Sequence, residues 1–113
     1  MLCVMFFGEP VGLCPDETVS GYADRAATYV LEEMAGAPVT ARATIRFPRE
    51  GEVEGKGPCN AFQASQGIAY PWIEIGPVMA TRRACPDLAA EEAYFAMLRA
   101  ATLVEVGGDI LLL

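Results

Sequence analysis

The chain has 113 residues, of which 53% are hydrophobic and 20% are charged, so it suits one packed domain and is not globally disordered. Its net charge of −7 disfavours nucleic acid and anionic lipid surfaces as partners, because both are polyanions. The chain has no histidine, the commonest general base and metal ligand. We therefore expect no metal, no cofactor and no nucleic-acid partner.

The N-terminus begins with an apolar run at residues 2–7, which is far too short to cross a bilayer that needs about 20 residues. Two hypotheses stay open. The run is part of an export signal that ends near Cys14, the residue that would carry the lipid of a lipoprotein, or it is the first strand of a cytosolic domain. Leu13 stands directly before Cys14, where a lipoprotein signal has a small residue.

Residues 15–24 are polar and include proline and glycine, which is typical of a tether or loop. We therefore divide the chain in two. Residues 1–28 form an N-terminal segment, for which two hypotheses stand: the remnant of an export or lipoprotein signal with a linker, or an added strand. Residues 29–113 form the domain.

The clearest strand is predicted at residues 42–47. Ala43, Ile45 and Phe47 alternate with polar residues, which is the period of a strand with one buried face. Residues 48–51 form a turn, and residues 52–54 alternate in the opposite sense, which predicts a hairpin. Further strand segments are predicted at residues 59–63 and 72–75.

A helix is predicted to start at Cys85, Pro86 and Asp87 and to continue to about Ala101. Phe95 and Leu98 are expected to anchor it to a sheet, and Glu91 lies on the same stripe of the helix. A terminal hairpin follows, with its turn at the glycines of residues 107–109. The predicted fold class is α+β: a curled antiparallel sheet or partly closed barrel with a single helix packed on it.

Two polar clusters suggest ligand sites, and neither has the spacing that the chemistry needs. The glycines and lysine of residues 51–57 do not fit the phosphate-binding pattern G-x-x-x-x-G-K-[ST], so we interpret them as bulge and turn residues. Glu50, Glu52 and Glu54 share one face of a strand, which is typical of a solvated surface.

The chain contains four cysteines: Cys3, Cys14, Cys59 and Cys85. They form no C-x-x-C pair, so their spacing indicates neither a zinc site nor a thioredoxin-like motif. Cys85 lies beside Arg82 and Arg83 at a predicted helix start, and both features favour a reactive thiolate. Three interpretations stay open: a catalytic Cys85, a packed thiol, and a disulfide between Cys59 and Cys85.

Several stretches of the chain, taken in order, resemble the META domain family, also called HslJ-like. They are GKGPCNAF at residues 55–62, TRRAC at residues 81–85, Glu91 with Phe95 and Leu98, and GDILL at residues 108–112. The resemblance covers residues 29–113, and its two cysteine-bearing motifs make it specific.

The resemblance implies a β-rich domain without enzymatic activity, in which strands curl around one helix. It also implies a bacterial envelope protein linked to stress tolerance, either periplasmic or an outer-membrane lipoprotein anchored through Cys14. Without an export signal the protein would be cytoplasmic. The positions that match the family motifs are interpreted as structural: Gly57, Cys59, Asn60, Thr81 and Cys85.

Three functions follow as hypotheses. The first is a non-catalytic envelope domain that binds an unidentified protein or peptide, with Trp72 and Arg82 as candidate contact residues. The second is a thiol-dependent enzyme or redox sensor that uses Cys85. The third is a small-ligand carrier, which requires a cavity of about 300 Å³ or more inside the curled sheet.

Overall fold

The computed structural model describes residues 15–113 and the backbone of a short strand pair at residues 5–6 and 9–10. The candidate lipidation site Cys14 and the export-signal hypothesis lie outside the described residues. The described part contains short strands, one α-helix and one 3₁₀ turn. They are β1 (Met5–Phe6), β2 (Glu9–Pro10), the 3₁₀ turn (Val19–Gly21), β3 (Tyr29–Val30), β4 (Glu33–Met34), β5 (Ala37–Pro38), β6 (Thr44–Arg46), β7 (Glu52–Lys56), β8 (Ala61–Gly67), β9 (Glu74–Ile75), β10 (Met79–Ala80), α1 (Leu88–Ala100), β11 (Glu105–Gly107) and β12 (Ile110–Leu112).

The main sheet is antiparallel and runs in the order β10-β8-β7-β6-β3, with β9 paired to the far end of β8. Three separate hairpins, β1-β2, β4-β5 and β11-β12, accompany it. The sheet is open rather than closed, and α1 contributes its buried residues to the same core. The predicted α+β class, with a curled antiparallel sheet and a single helix, is confirmed.

The hairpin of β6 and β7 follows the predicted pattern. Ala43, Ile45 and Phe47 are buried, and the turn passes through Gly51 at φ +81°, a left-handed conformation that glycine adopts freely. The expectation of a solvent-facing Thr44 was wrong, because Thr44 is only 7% exposed. Its hydroxyl accepts the N–H of Lys56 at 3.1 Å, so the side chain lies against the neighbouring strand.

Helix α1 begins at Leu88, three residues later than predicted, because Pro86 and Asp87 form a turn before it. Leu98 is fully buried and Phe95 packs against the core, so the predicted anchors are confirmed. The sequence pattern missed Tyr94, a buried residue whose hydroxyl donates to the backbone carbonyl of Thr44 at 2.9 Å. Among the described residues, no helix has the length and apolar character to span a membrane.

One aromatic cluster joins the helix to the sheet. Phe62 of β8 makes edge contacts with Tyr94 and Phe95 of α1, with ring centroids 5.9 Å and 5.3 Å apart. Edge-to-face pairs of this kind add to the stabilisation from buried apolar area. The cluster therefore packs α1 against the beginning of the longest strand, β8.

The C-terminal hairpin of β11 and β12 is confirmed, and its turn passes through Gly108 at φ +58°. The strand predicted at residues 72–75 is shorter than expected. The N–H of Ile73 donates to the carbonyl of Thr102 at 3.0 Å, and Trp72 bridges Leu103. These residues therefore pair with the segment after the helix, and only Glu74–Ile75 pairs with β8.

The segment predicted as a tether is part of the folded unit. Val19 is 0% exposed and belongs to the hydrophobic core, and its neighbour Ser20 is also buried. A fully buried valine contributes about 1.5–3 kcal/mol relative to an exposed one. The polar composition of residues 15–24 hid this contact, because Val19 is a single apolar residue without a periodic pattern.

A carboxylate holds that segment in place. Asp16 accepts hydrogen bonds from the N–H of Thr18 at 2.8 Å, from the Thr18 hydroxyl at 2.5 Å and from the Ser20 hydroxyl. Arg25 pairs with the same carboxylate at 2.8 Å. Gln66 of β8 donates to the Thr18 hydroxyl at 3.0 Å, which ties the segment to the sheet. Burial acts to raise the pKa of Asp16, but the hydrogen bonds from Ser20 and Thr18 and the charge of Arg25 outweigh it, so the pKa is lowered.

We predict that Asp16→Asn lowers the free energy of unfolding by about 1–2 kcal/mol at neutral pH, because the amide nitrogen cannot accept these hydrogen bonds. A lowered carboxyl pKa contributes stability that is present above the unfolded-state value of about 4 and is lost as the pH falls through the folded-state value. The difference between the variant and the wild type should therefore shrink as the pH falls from about 5 to about 2.

Urea denaturation across this pH range measures the difference. Asp109→Asn, at the exposed turn of the C-terminal hairpin, is the matched control and should leave the stability unchanged. A deficit for Asp16→Asn that is constant across the pH range contradicts the explanation.

Candidate functional site

The residues that match the family motifs meet at one end of the main sheet. The loop between β7 and β8 carries Gly57, Cys59 and Asn60, and the segment between β10 and α1 carries Thr81 and Cys85. A disulfide joins Cys59 to Cys85 with a Cα–Cα distance of 5.8 Å. The two segments are thus linked covalently directly before the helix.

Glu91, in the first turns of α1, lies at the centre of this arrangement and is only 3% exposed. Its Oε1 accepts the backbone N–H of Cys59 at 3.0 Å and that of Asn60 at 2.6 Å, and its Oε2 accepts the Asn60 Nδ2–H at 2.7 Å. A buried carboxyl group is tolerated only when hydrogen bonds replace its hydration. Glu91 meets this condition with donors from one loop.

Asn60 extends the network to the other segment. Its Oδ1 accepts the Thr81 hydroxyl at 2.9 Å and the backbone N–H of Arg83 at 2.6 Å. Its Nδ2 donates to the carbonyl of Arg83 at 3.1 Å as well as to Glu91. Both ends of the Asn60 amide are therefore occupied, and this side chain couples the helix to residues 81–83.

Position 57 requires glycine because the loop passes very close to the Glu91 side chain there. A Cβ atom added at this position would lie 2.5 Å from Oε1 of Glu91, which is inside van der Waals contact. The N–H of Gly57 donates to the carbonyl of Asn60 at 2.8 Å and closes the loop. Any side chain here would push the loop away from the helix.

These seven residues are called the motif cluster below: Gly57, Cys59, Asn60, Thr81, Arg83, Cys85 and Glu91. The polar atoms of Asn60 and Glu91 bond to one another and to the backbone, and the two sulfurs bond to each other. Such an arrangement holds three chain segments in a fixed geometry. The role assigned to the motif residues as structural positions stays a prediction, and the contacts show how they would fulfil it.

Sequence reasoning placed Glu91 on the helix stripe but missed that it holds the cluster together, and it missed the backbone of Arg83. One signal was available for Glu91: an acidic residue between Leu88 and Leu98 on the stripe that faces the core. A charged residue on a buried stripe needs partners, so its position alone pointed to a hydrogen-bonded site. Nothing in the sequence pointed to the Arg83 backbone.

Beside the motif cluster, a groove of about 930 Å³ lies on the open face of the sheet, over β6, β7, β8 and β10. We call it the sheet groove and define it by Arg46, Glu54, Lys56, Gln63, Met79 and Thr81, which lie in it together. Gly57, Pro58 and Thr81 line its end, so the motif cluster shapes one wall.

The floor of the sheet groove is formed by two adjacent rows of side chains. Each row runs across the strands and consists of residues that are register partners on neighbouring strands. One row contains Arg46, Glu54, Gln63 and Met79, which are successive partners in the strand registers. The other row contains Thr44, Lys56 and Ala61. Met79 is 73% exposed, and Lys56 and Gln63 are exposed as well, so this face is open to a ligand.

The other side of the sheet is filled. Phe47, Val53, Ile73 and Leu98 are each less than 2% exposed and, with Val19, occupy the space between the sheet and the helix. This packing of the described residues argues against a small-ligand carrier that uses the interior.

Of the other predicted positions, Arg82 adjoins the motif cluster in the chain, whereas Trp72 and the acidic strand face are not part of it. Trp72 is 56% exposed but does not line the sheet groove, whereas Arg82 is exposed directly after the groove residue Thr81. On the acidic strand face, Glu52 pairs with Arg49 at 2.5 Å and Glu54 with Arg46 at 3.2 Å. Among the described residues, no group of three or more acidic or cysteine side chains could hold a metal ion.

The chain is an α+β domain in which one helix packs on an antiparallel sheet and a disulfide-bearing motif cluster lies at one end of that sheet. The META domain family matches residues 24–113, and the chain belongs to this family. No curated protein and no solved structure matches the chain.

We predict that Glu91→Gln lowers the free energy of unfolding by about 2 kcal/mol, because the amide nitrogen faces a donor in either orientation. Glu92→Gln is the matched control, since the neighbouring Glu92 is exposed and its change should stay within about 0.5 kcal/mol. Chemical denaturation at neutral pH measures both variants, and equal effects would show that Glu91 does not hold the loop.

The disulfide closes a loop with a sequence separation of 26 residues. Replacing Cys59 and Cys85 together by serine should lower the free energy of unfolding by about 3 kcal/mol, as the chain-entropy model gives for such a loop. The bond itself is tested by a tryptic digest without reductant. Fragments 57–82 and 84–99 should appear as one linked species, and their separate appearance would contradict the pairing.

Proposed function

We propose that this META domain is a non-catalytic binding module of the bacterial cell envelope, and that it holds an extended protein or peptide segment in the sheet groove. The observation that carries the proposal is the contrast between two neighbouring regions. The side-chain polar atoms of Asn60, Thr81 and Glu91 in the motif cluster bond to one another and to the backbone. By contrast, exposed side chains of the groove, such as Lys56 and Gln63, form no side-chain hydrogen bond with a described residue.

The chemistry of the motif cluster supports a role without catalysis. A nucleophile needs a free reactive atom and an activating base. The sulfurs of Cys59 and Cys85 are bonded to each other, and the chain has no histidine. Glu91 and Asn60 use their polar atoms to fix the loops. The cluster is therefore suited to hold the groove wall in place.

The shape of the groove favours an extended ligand. Its volume of about 930 Å³ is at the upper end of typical ligand sites, which are about 300–1,000 Å³. Its floor crosses four strands, and neighbouring strands lie about 4.8 Å apart, so the floor is about 14 Å wide. An extended segment of four or five residues, at about 3.3 Å per residue, spans that width.

The compartment is proposed from the family resemblance, which favours the periplasm or an outer-membrane lipoprotein with a role in stress tolerance. The disulfide between Cys59 and Cys85 supports this choice, because such bonds persist in oxidising compartments such as the bacterial periplasm. A cytoplasmic location would expose the bond to reduction.

The same disulfide supports a second candidate function, a redox sensor that uses Cys85. Reduction would release the covalent link between the loops at residues 57–60 and 81–85, which line the end of the groove. Labelling with iodoacetamide across a range of pH, before and after reduction, tests the sensor and the thiol-dependent enzyme together. A reduced Cys85 that reacts no faster than free cysteine contradicts both.

Selection from a random peptide library on the immobilised domain tests the binding module. We predict that selected peptides bind the wild type, and that replacing Gln63 and Met79 together by alanine weakens their binding about tenfold. The minority of interface side chains whose truncation costs more than about 1 kcal/mol lie near the centre of the contact, and these two residues are on the floor of the groove. Isothermal titration calorimetry measures the affinities.

Trp72→Ala is the matched control, since Trp72 is exposed but does not line the groove. It should leave the affinity unchanged. A loss on Trp72→Ala with no loss on the groove variant places binding elsewhere and refutes the groove. A library that yields no binder refutes the binding module.

A further inference from the structure

The charge in the sheet groove is opposite to the charge of the whole chain. The chain carries a net charge of −7, whereas the groove collects Arg42, Arg46 and Lys56 and a single acidic residue, Glu54. Three of the eight basic residues of the chain therefore line one surface. A local field of this sign attracts an anionic ligand and selects against a cationic one.

Only part of this positive charge is neutralised within the chain. Glu54 lies opposite Arg46 in the strand register and pairs with it at 3.2 Å. Arg42 and Lys56 are exposed, and neither forms an ion pair with any residue of the described part of the chain. In addition, Nε of Arg46 is buried and has no hydrogen-bond partner among the described residues. Among the described residues, Arg42 and Lys56 thus have no ion-pair partner, and Arg46 has an unused donor.

The register fixes how these cations are spaced. Thr44 lies opposite Lys56, and Arg42 and Arg46 stand two residues before and after Thr44 on the same face of the chain. Arg42 lies two residues before the start of β6, and extending the printed register to it would make it a diagonal neighbour of Lys56. Such neighbours are typically about 7–8 Å apart. In an extended ligand, side chains at alternate positions lie on one face about 7 Å apart. The two spacings agree.

We propose that the sheet groove binds an extended acidic segment of a protein, with carboxylates at alternate positions as in Glu-x-Glu or Asp-x-Asp, one at Arg42 and the other at Lys56. This inference rests on the proposed function and names the chemistry of its partner. The row that begins at Arg46 ends at Met79 on β10, so the far side of the groove offers an apolar contact to the same segment.

A long polyanion fits the groove less well than a short acidic segment. Two cations of the groove have no ion-pair partner among the described residues, whereas the chain as a whole carries a net charge of −7. A nucleic acid that extends beyond the groove meets this repulsive surface along its length. A short peptide with two carboxylates ends within the groove and does not reach the acidic surface.

Fluorescence anisotropy with the full chain tests the proposal. The probes are three labelled peptides of one scaffold that carry Glu-x-Glu, Gln-x-Gln or Lys-x-Lys, and a fourth with adjacent glutamates. The Glu-x-Glu peptide should bind about tenfold tighter than the Gln-x-Gln peptide, and raising the salt from about 0.05 M to about 0.5 M should remove most of that advantage, because salt screens exposed charges.

Substitutions locate the effect. Arg42→Gln and Lys56→Gln should each weaken binding of the Glu-x-Glu peptide about threefold, as expected for exposed ion pairs, and should leave the Gln-x-Gln peptide unaffected. Arg99→Gln is the matched control, since it removes the same charge from an exposed helix position away from the groove. Lys56→Glu should abolish the preference for the Glu-x-Glu peptide, because one cation and one carboxylate then face its two charges.

Equal binding of the Glu-x-Glu and Gln-x-Gln peptides overturns the proposal, as does an Arg99→Gln effect equal to that of Lys56→Gln. Free glutamate or phosphate that competes at the same concentration as the peptide overturns it too, since the site would then bind a small anion. Library peptides that bind in the groove without acidic residues refute the acidic partner but leave the binding module standing. A library without any binder refutes both.

Discussion

The arrangement of the site is built on the buried carboxyl group of Glu91, which accepts hydrogen bonds from the loop between β7 and β8. Removing such a group from water costs several kcal/mol unless hydrogen bonds compensate. No cation of the described residues pairs with it, and its partners are N–H groups of Cys59 and Asn60. Backbone donors can meet the carboxyl group only if their loop has one conformation, so the requirement of Glu91 fixes the path from β7 to β8. Gly57 lies where that path passes closest to the helix.

The same interaction connects the core to the surface. Leu98, Tyr94 and Glu91 form the buried face of α1, so packing of the helix against the sheet sets where the carboxyl group lies. The carboxyl group positions the loop, and the loop supplies Gly57 and Pro58 to the wall of the sheet groove. Apolar packing on one side of the sheet therefore determines the shape of a polar surface on the other. A rigid wall of this kind reduces the ordering cost of binding.

The sequence predicted the parts of the fold that depend on local periodicity. The alternation around Ile45 predicted β6 and its hairpin, and the stripe through Phe95 and Leu98 predicted the helix contact. Prediction from the sequence failed where contacts between residues distant in the chain determine burial. Thr44 is buried because β7 lies against it, and Val19 is buried because its segment folds back onto the core. The motif residues could be named from the resemblance, but their hydrogen bonds needed the chain to be folded.

Net charge is a sum over the whole surface, and it hides local fields. The total of −7 disfavours polyanionic partners, and this prediction concerns ligands that extend over much of the protein. At the scale of a few residues the sign is set by register, which brings Lys56 opposite Thr44 and between two arginines. A small basic groove in an acidic surface has a specificity that a uniformly basic surface lacks, because a ligand gains attraction inside the groove and repulsion beyond it. The acidic surroundings therefore limit the length of the anion that the groove accepts.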